Sequence, residues 1–70
     1  MAYNIIPDGK QIEFEDDIVG VFDTEDNCVY YGVLDYCPFK EDFDDCGKWN
    51  DKEKHYELSN NYRLVVFNIN

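Results

Sequence analysis

The sequence predicts a single mainly β (β-rich α+β) domain over residues 1–70. Two observations lead to this fold class. Short runs of β-branched and aromatic residues are separated by turn residues, and contents of 44% hydrophobic and 17% aromatic residues suit a small packed core. Disordered acidic chains are poor in aromatic residues, which argues against disorder. We expect a twisted antiparallel sheet of four or five strands, or an SH3-like or OB-like barrel, with a short helical or irregular insertion at about residues 39–57.

The first half of the chain predicts three strands. A turn at Pro7-Asp8-Gly9 comes first, because proline presets the turn backbone and glycine accepts positive φ. Residues 11–15 alternate apolar and polar side chains and predict a strand with one wet face. Residues 18–22 (IVGVF) predict a more buried strand, in which Gly20 is expected to mark a bulge or bend. The polar loop at 23–27 then predicts a hairpin to a third strand at 28–36.

The second half contains the insertion and the last strand. Phe39, Phe43 and Cys46 have helical spacing, so one or two helical turns are expected to pack them inward. The polar segment 50–57 predicts a second helical turn or a loop. Asn60-Asn61 indicates a turn, and residues 62–69 predict a strand. In that strand, Leu64 and Val66 are expected on one face, with Val65, Phe67 and Ile69 on the other.

The charge balance is strongly acidic. Sixteen Asp and Glu residues against six Lys and Arg give a net charge of −10. Such a surface repels nucleic acid and anionic membranes and attracts basic proteins or cations. The sequence lacks a basic, apolar leader pattern at its start and an apolar run approaching the ~18 residues of a membrane span. We therefore expect a cytoplasmic protein without membrane contact, whose three cysteines are reduced thiols.

The acidic residues form three clusters, at 13–17, 23–26 and 41–45, whereas residues 29–34 carry no acid. The clusters would form one negative face if the insertion folds back over the same edge of the sheet. A rigid protein that displays carboxylates at a density comparable to that of DNA phosphates can enter a Lys/Arg-lined groove in place of DNA or RNA. The partner-binding candidates are Glu13, Glu15, Asp16, Asp17, Asp23, Glu25, Asp26, Glu41, Asp42, Asp44 and Asp45.

Aromatic residues near the clusters are candidates for anchoring a partner. Phe14 and Phe43 lie within clusters, and core packing is the ordinary expectation for both. Trp49 lies among polar residues beside the third cluster and is added to the partner-binding candidates. Further candidates on the predicted 28–36 strand are Tyr30, Tyr31 and Tyr36.

Residues 42–53 partly match an EF-hand calcium loop. Asp42, Asp44, Asn50 and Glu53 occupy loop positions 1, 3, 9 and 12, and a glycine occupies position 6. However, Cys46 stands at position 5, where Ca²⁺ disfavours a soft ligand. Pro38 also leaves little room for the helix that should precede the loop. Calcium binding is therefore an alternative to the partner-binding interpretation.

The cysteines and the histidine raise two further alternatives. Three thiols and one imidazole suit tetrahedral zinc, but zinc ligands usually come in close pairs and these four are evenly spaced, at Cys28, Cys37, Cys46 and His55. A nucleophilic dyad of Cys37 or Cys46 with His55 lacks a supporting local signature. We expect buried thiols acting as small hydrophobes, no cofactor and no enzyme activity.

In length, acidity and Tyr/Asn/Asp-rich composition, the whole chain resembles small phage-encoded inhibitors of host defence. That class includes nucleic-acid mimics that block restriction or CRISPR effectors. The resemblance implies a binding protein that inhibits or decoys a larger basic, nucleic-acid-binding host protein, without touching nucleic acid itself. We expect such a protein to be a monomer or a homodimer. The alternative is a small structural subunit whose Tyr-rich sheet edge pairs with itself or with a partner strand.

Overall fold

The computed structural model describes residues 8–67, except for the side chains of Asp45 and Cys46. It confirms a mainly β domain with a short helix. The elements are β1 (Ile18–Phe22), β2 (Cys28–Val33), a 3-10 helix (Leu34–Tyr36), α1 (Lys40–Cys46), β3 (Lys48–Asn50), β4 (His55–Glu57) and β5 (Arg63–Val66). Neither of the two helices in residues 8–67 has the length and apolar character that crossing a membrane requires.

The five strands form one open antiparallel sheet in the order β2-β1-β5-β4-β3. The sheet is therefore the open one of the two predicted arrangements, and β2 and β3 are its edges within the described residues. The ends of the sheet are named here after β1, which begins at Ile18 and ends at Phe22. The Ile18 end also contains the end of β2, and the Phe22 end contains the start of β5.

The connection from β2 to β3 crosses one face of the sheet. It leaves β2 at the Ile18 end, where Val33 is paired with Ile18. It enters β3 on the side of the Phe22 end, because Lys48 pairs with Glu57, which in turn pairs with Arg63 next to Phe22. The 3-10 helix and α1 lie on this connection and cover the main core.

The main core lies between the sheet and this connection. Val19, Val21, Leu64 and Val66 are fully buried on the covered face. Aromatic rings from α1 and its N-terminal flank pack against tyrosines at tilted or edge-on angles, the geometry that aromatic pairs prefer. The centroids are 4.8 Å apart for both Phe39–Tyr62 and Phe43–Tyr56. The predicted inward packing of Phe39 and Phe43 is confirmed.

A second, smaller cluster lies on the opposite face and contains Phe22, Val65 and Phe67. The Tyr31 and Phe67 rings are 5.4 Å apart, and the Arg63 guanidinium lies 4.6 Å from the centroid of the Phe22 ring. The predicted division of the last strand between the two faces is therefore confirmed as far as Phe67. The predicted position of Ile69 lies outside the described residues.

The predicted strand at 11–15 is wrong, because a side chain closes a turn there. None of residues 11–15 pairs with a strand, and the preceding residue, Lys10, forms an isolated β-bridge with Val66. The Asp17 carboxylate accepts hydrogen bonds from the N–H groups of Glu13 and Phe14 at 2.9 and 3.2 Å. The Asp17 N–H donates to the Phe14 carbonyl at 3.2 Å. Aspartate commonly diverts the local backbone from strand to turn in this way.

The other strand boundaries also need correction. The strand predicted at 28–36 ends at Val33, where a 3-10 turn begins, and its Cys37 N–H donates to the Leu34 carbonyl at 2.9 Å. Among the described residues of the predicted strand 62–69, the strand covers Arg63–Val66, and residues 68 and 69 lie outside the description. By contrast, the predicted turn at Asn60-Asn61 is confirmed, because the Asn61 N–H donates to the Leu58 carbonyl at 3.2 Å.

The segment predicted as a loop or helical turn at 50–57 belongs to a β-hairpin made by β3 and β4. Its central cross-strand pair is Trp49 and Tyr56, with ring centroids 4.8 Å apart. Asn50 closes the turn, because its carbonyl accepts from the Lys54 N–H at 2.7 Å and its side-chain oxygen from the Glu53 N–H at 3.0 Å. Cross-strand aromatic pairs stabilise short hairpins, and this pairing overrides the polar sequence.

Gly20 does not mark the bulge, which lies between Val21 and Phe22. Instead, Gly20 makes room for the Phe67 ring, since a Cβ on residue 20 would lie 2.7 Å from Cε2 of Phe67. We expect Gly20→Ala to lower the free energy of unfolding by about 1–3 kcal/mol, as in other overpacked cores. Chemical denaturation of Gly20→Ala, Phe67→Leu and the double variant measures this effect. An equal cost of Gly20→Ala in both backgrounds would contradict the proposed clash.

Candidate functional site

The three acidic clusters occupy different parts of the fold. The cluster at 13–17 lies at the Ile18 end, immediately before β1, and the cluster at 23–26 lies at the Phe22 end, immediately after it. Five strand residues of about 3.3 Å each separate the two clusters. The cluster at 41–45 lies on α1, above the covered face of the sheet. The structure therefore places these candidates at both ends and on one face of the sheet, so the three clusters do not form the single negative face considered above.

The Ile18 end combines carboxylates with exposed aromatic rings. A groove there is lined by Glu15, Asp16, Asp35 and Tyr36, together with Val33. Tyr36 is 79% exposed. Phe14 is 64% exposed, so the expectation that it packs in the core is wrong. Asp16 also borders the neighbouring groove, which Phe14 lines. The Ile18-end surface is defined here as Phe14, Glu15, Asp16, Asp35 and Tyr36.

Backbone hydrogen bonds hold the two segments of this surface together. The Asp35 N–H donates to the Glu15 carbonyl, and the Leu34 N–H donates to the Asp17 carbonyl, both at 3.0 Å. The turn that begins at Glu13 is thereby fixed to the 3-10 helix that carries Tyr36. Of the acids in this cluster, Asp17 uses its carboxylate to close the turn. The side chains of the other acids in the cluster extend from a backbone that these main-chain hydrogen bonds hold in place.

Lys40 is the counterion of the Ile18-end surface. Its Nζ lies 3.7 Å from a carboxylate oxygen of Glu15 and 3.5 Å from one of Asp35. The Glu15 carboxylate is the main cause that raises the pKa of Lys40, and Asp35 and Asp44 add to it. One ammonium between several carboxylates leaves an excess of negative charge. Because these pairs are partly exposed, each contributes little to stability.

The cluster at the Phe22 end is used largely within the chain. The Asp23 carboxylate accepts from the N–H groups of Glu25 and Asn27, both at 2.9 Å. The hydrogen bond from Asn27 is the main cause that lowers the pKa of Asp23. Asp26 forms an ion pair with Arg63. Two of the three partner-binding candidates in this loop therefore stabilise the hairpin and its contact with β5, and Glu25 remains exposed.

We expect Asp23→Ala to lower the melting temperature at pH 7 and to lower it less in acid, below the folded-state pKa of Asp23. The pKa of Asp23 lies below its ordinary value of 3.8, so the unfolded chain binds the proton more readily. The stabilisation is complete above that ordinary value and is lost as the pH falls through the folded-state pKa. Thermal melts across this pH range measure it. Glu25→Ala is the control with the same change in charge, and an equal effect of both variants would contradict the role of Asp23.

The third cluster and Trp49 have mixed roles. Glu41 and Asp44 are exposed on α1, whereas the Asp42 carboxylate accepts from the Asn60 side chain at 2.8 Å. The side chain of Asp45 is not among those that the structure describes. Trp49 is half-buried against Tyr56. Its Nε1 donates to Asp51 at 3.4 Å, which gives the ring a structural role.

The structure does not form the EF-hand loop considered for residues 42–53. Asp42 and Asp44 lie within α1, Asn50 ends β3, and Glu53 lies in the turn of the hairpin. The Asn50 side chain is engaged with the Glu53 N–H and, at 2.9 Å, with the Glu57 carboxylate. In the described part of the chain, no three His, Cys, Asp or Glu side chains are grouped so that they could hold a metal ion.

Two of the three cysteines are described, and both are free thiols. Cys37 is buried in the main core. Cys28 is half-buried and its Sγ donates to the Tyr30 carbonyl at 3.2 Å. Burial raises the pKa of both thiols, which lowers the reactive thiolate fraction. His55 lies on β4, with its Nε2 3.7 Å from a Glu57 carboxylate oxygen.

Asp35 is the member of the Ile18-end surface that the sequence interpretation missed. The sequence pattern places Asp35 on a strand from residue 28 to residue 36, where it would be an isolated acid. The tertiary contact with the Glu15 backbone and the shared Lys40 place it beside the first cluster. A usable signal was the Leu-Asp-Tyr-Cys-Pro sequence, because aspartate and proline favour turns over strands.

Comparisons of the chain with protein-family models, curated proteins and solved structures gave no match.

Proposed function

We propose that this protein is a non-catalytic acidic binding protein that occupies a basic, nucleic-acid-binding surface of a larger protein, as an inhibitor or decoy. The observation that carries the proposal is the Ile18-end surface, where exposed aromatic rings flank carboxylates on a backbone fixed by hydrogen bonds. The compositional resemblance to phage-encoded inhibitors supports a host defence effector as the class of partner.

Electrostatics supports a basic partner. B-form DNA carries one charge per about 1.7 Å of its axis, and proteins that bind it present Lys and Arg side chains. A chain with a net charge of −10 is attracted to such a groove. Attraction of this kind accelerates association and weakens as salt increases. Lys40 is the one cation that contacts the carboxylates Glu15 and Asp35 among the described residues, so a Lys/Arg-rich partner adds the missing counterions.

The exposed aromatic residues support specific binding beyond charge attraction. Binding energy at protein interfaces is concentrated in a few buried aromatic or arginine side chains. The Tyr36 ring extends from the 3-10 helix beside Asp35, and 79% of its surface faces solvent in the free protein. Its backbone is already ordered, so little conformational entropy is lost there on binding. Tyr36 therefore has the properties of an anchor within an acidic surface.

A pull-down from host-cell lysate with two pairs of variants tests the proposal. Glu15→Gln with Asp16→Asn removes two charges from the Ile18-end surface, whereas Asp8→Asn with Glu53→Gln removes two exposed charges elsewhere. We expect the first pair to lose most of a basic, nucleic-acid-binding partner at low salt, and the second pair to retain it. High salt should release the partner from the wild-type protein. Recovery of only neutral or acidic partners, or equal losses from both pairs, would contradict the proposal.

A further inference from the structure

The β2 strand is an open edge of the sheet. In the part of the chain that the structure describes, β2 pairs with β1 and has no strand on its other side. The strand itself carries no charged residue, although charges commonly protect such edges. Val29 and Tyr31 are 44% and 43% exposed on it. At its end, the Val33 carbonyl already accepts from the Tyr30 hydroxyl at 2.7 Å.

The register identifies backbone groups that face away from the sheet. The Ile18 carbonyl accepts from the Phe67 N–H, on the β5 side of β1. Because backbone groups alternate sides along a strand, Val19 directs its groups toward β2, where it is paired with Gly32. Gly32 therefore faces β1, and its neighbour Tyr31 faces the open side. Among residues 8–67, no strand takes up the N–H and C=O of Tyr31, and both groups point toward the side where an added strand would lie.

Carboxylates flank both ends of this neutral edge. The β1–β2 loop lies before the first residue of β2, and its excess negative charge comes from Asp23 and Glu25, because Asp26 is paired with Arg63. Asp35 lies two residues after the last residue of β2, and Asp16 borders the groove that Val33 also lines. Six strand residues span about 20 Å. The edge therefore presents an uncharged stretch of about that length between two negative ends.

This charge pattern determines which strand fits the edge. A second copy of the chain would place its own acidic ends beside these acidic ends, whether the two β2 strands ran parallel or antiparallel. Like charges opposite one another destabilise strand pairing, and each copy carries a net charge of −10. An extended segment with cationic residues at both ends instead places its charges beside the carboxylates.

We propose that β2 binds an extended segment of the partner by strand addition. The segment has about six uncharged, alternating residues with Lys or Arg on both sides. This inference rests on the proposed function and specifies the partner chemistry, because it names the kind of segment that a basic partner would contribute. Main-chain hydrogen bonds to Tyr31 and its neighbours give affinity, as in other cases of strand addition. The flanking carboxylates set the charge preference.

A synthetic peptide tests the inference on the intact protein. The probe is acetyl-Lys-Lys-Thr-Val-Thr-Val-Thr-Val-Lys-Lys-amide, titrated in low salt and followed by NMR of the backbone amides. Binding should shift the amide signals of β2 and slow hydrogen exchange at the Tyr31 N–H.

The control peptide carries N-methyl groups on two adjacent central residues, which removes one N–H donor from each edge of the peptide. We expect it to bind about tenfold more weakly, because main-chain hydrogen bonds are lost.

Charge variants of the protein separate this inference from the proposed function. The pair Asp16→Asn and Glu25→Gln neutralises one exposed carboxylate near each end of β2. We expect it to weaken binding of the unmethylated peptide several-fold in low salt. If charge neutralisation weakens binding but N-methylation does not, strand addition is overturned and acidic binding stands. If the β2 signals do not shift at millimolar peptide, strand addition is overturned whatever the lysate experiment gives.

The oligomeric state gives an independent test. We expect light scattering to detect a monomer in low salt, because the acidic ends repel each other. A dimer in low salt that Tyr31→Lys dissociates would overturn the inference, since a second copy would then occupy the β2 edge.

Discussion

Tyr36→Ala is expected to weaken binding of the basic partner by about 10- to 100-fold, the range that a central aromatic anchor contributes. The ring is 79% exposed in the free protein, so its removal should change the free energy of unfolding by no more than about 0.5 kcal/mol. Calorimetric titration against the captured partner measures the first quantity, and urea denaturation measures the second. Loss of binding with preserved stability identifies Tyr36 as a contact residue.

The matched control is Tyr36→Phe, which keeps the ring and removes only the hydroxyl. If packing of the ring supplies the binding energy, this variant should bind within a few-fold of the wild-type protein. Unchanged affinity of Tyr36→Ala would show that Tyr36 is a bystander and that the partner contacts another part of the acidic surface.

Leu64→Ala is expected to have the largest effect on stability, a loss of about 2–5 kcal/mol of unfolding free energy. Leu64 is fully buried on the central strand β5, and its register partners are Val21 on one side and Tyr56 on the other. Domains gain only roughly 0.05–0.15 kcal/mol per residue, so a chain of 70 residues has little reserve. Urea denaturation should show a much lower transition midpoint, because this loss is a large fraction of the total stability.

The control for Leu64→Ala is Val29→Ala on β2, where 44% of the valine is exposed. Loss of a half-exposed side chain at an edge should cost less than about 1 kcal/mol. A similar cost for both variants would contradict the assignment of the main core to the face that α1 covers.

The β1–β2 hairpin and the helical insertion were predictable because local patterns and packing agree there. Ile18–Phe22 is apolar and β-branched, and Asp23 closes the following loop with its own carboxylate. Phe39 and Phe43 have the spacing of one helical face, and both contact the main core. In each of these segments the residues that drive burial also have the right intrinsic preference.

The β3–β4 hairpin could not be predicted in this way. Its strands have three residues each, too few for a two-residue period to stand out. What stabilises it is the contact of Trp49 with Tyr56 and of Tyr56 with Phe43, which are tertiary interactions. The turn at Glu13–Asp17 was missed for a related reason, because a side chain and not a glycine or proline closes it.

The candidate site was partly predictable. The sequence identifies the three acidic clusters. It does not distinguish carboxylates that face solvent from carboxylates that accept hydrogen bonds within the chain. Asp17, Asp23 and Asp42 all accept hydrogen bonds from their own chain. The position of Asp35 beside Glu15 depends on a long-range backbone hydrogen bond. Exposure of Phe14 likewise follows from the turn that replaced the predicted strand.

Competition between this protein and DNA for the captured partner tests the central claim most directly. A fluorescently labelled duplex is first bound to the partner, and the wild-type protein is then titrated in at low salt. We expect complete displacement of the duplex, and the concentration for half displacement should rise linearly with the duplex concentration. The variant Glu15→Gln with Asp16→Asn should displace much less duplex at the same concentrations. A ternary complex of partner, duplex and protein would contradict the claim that the acidic surface occupies the nucleic-acid-binding site.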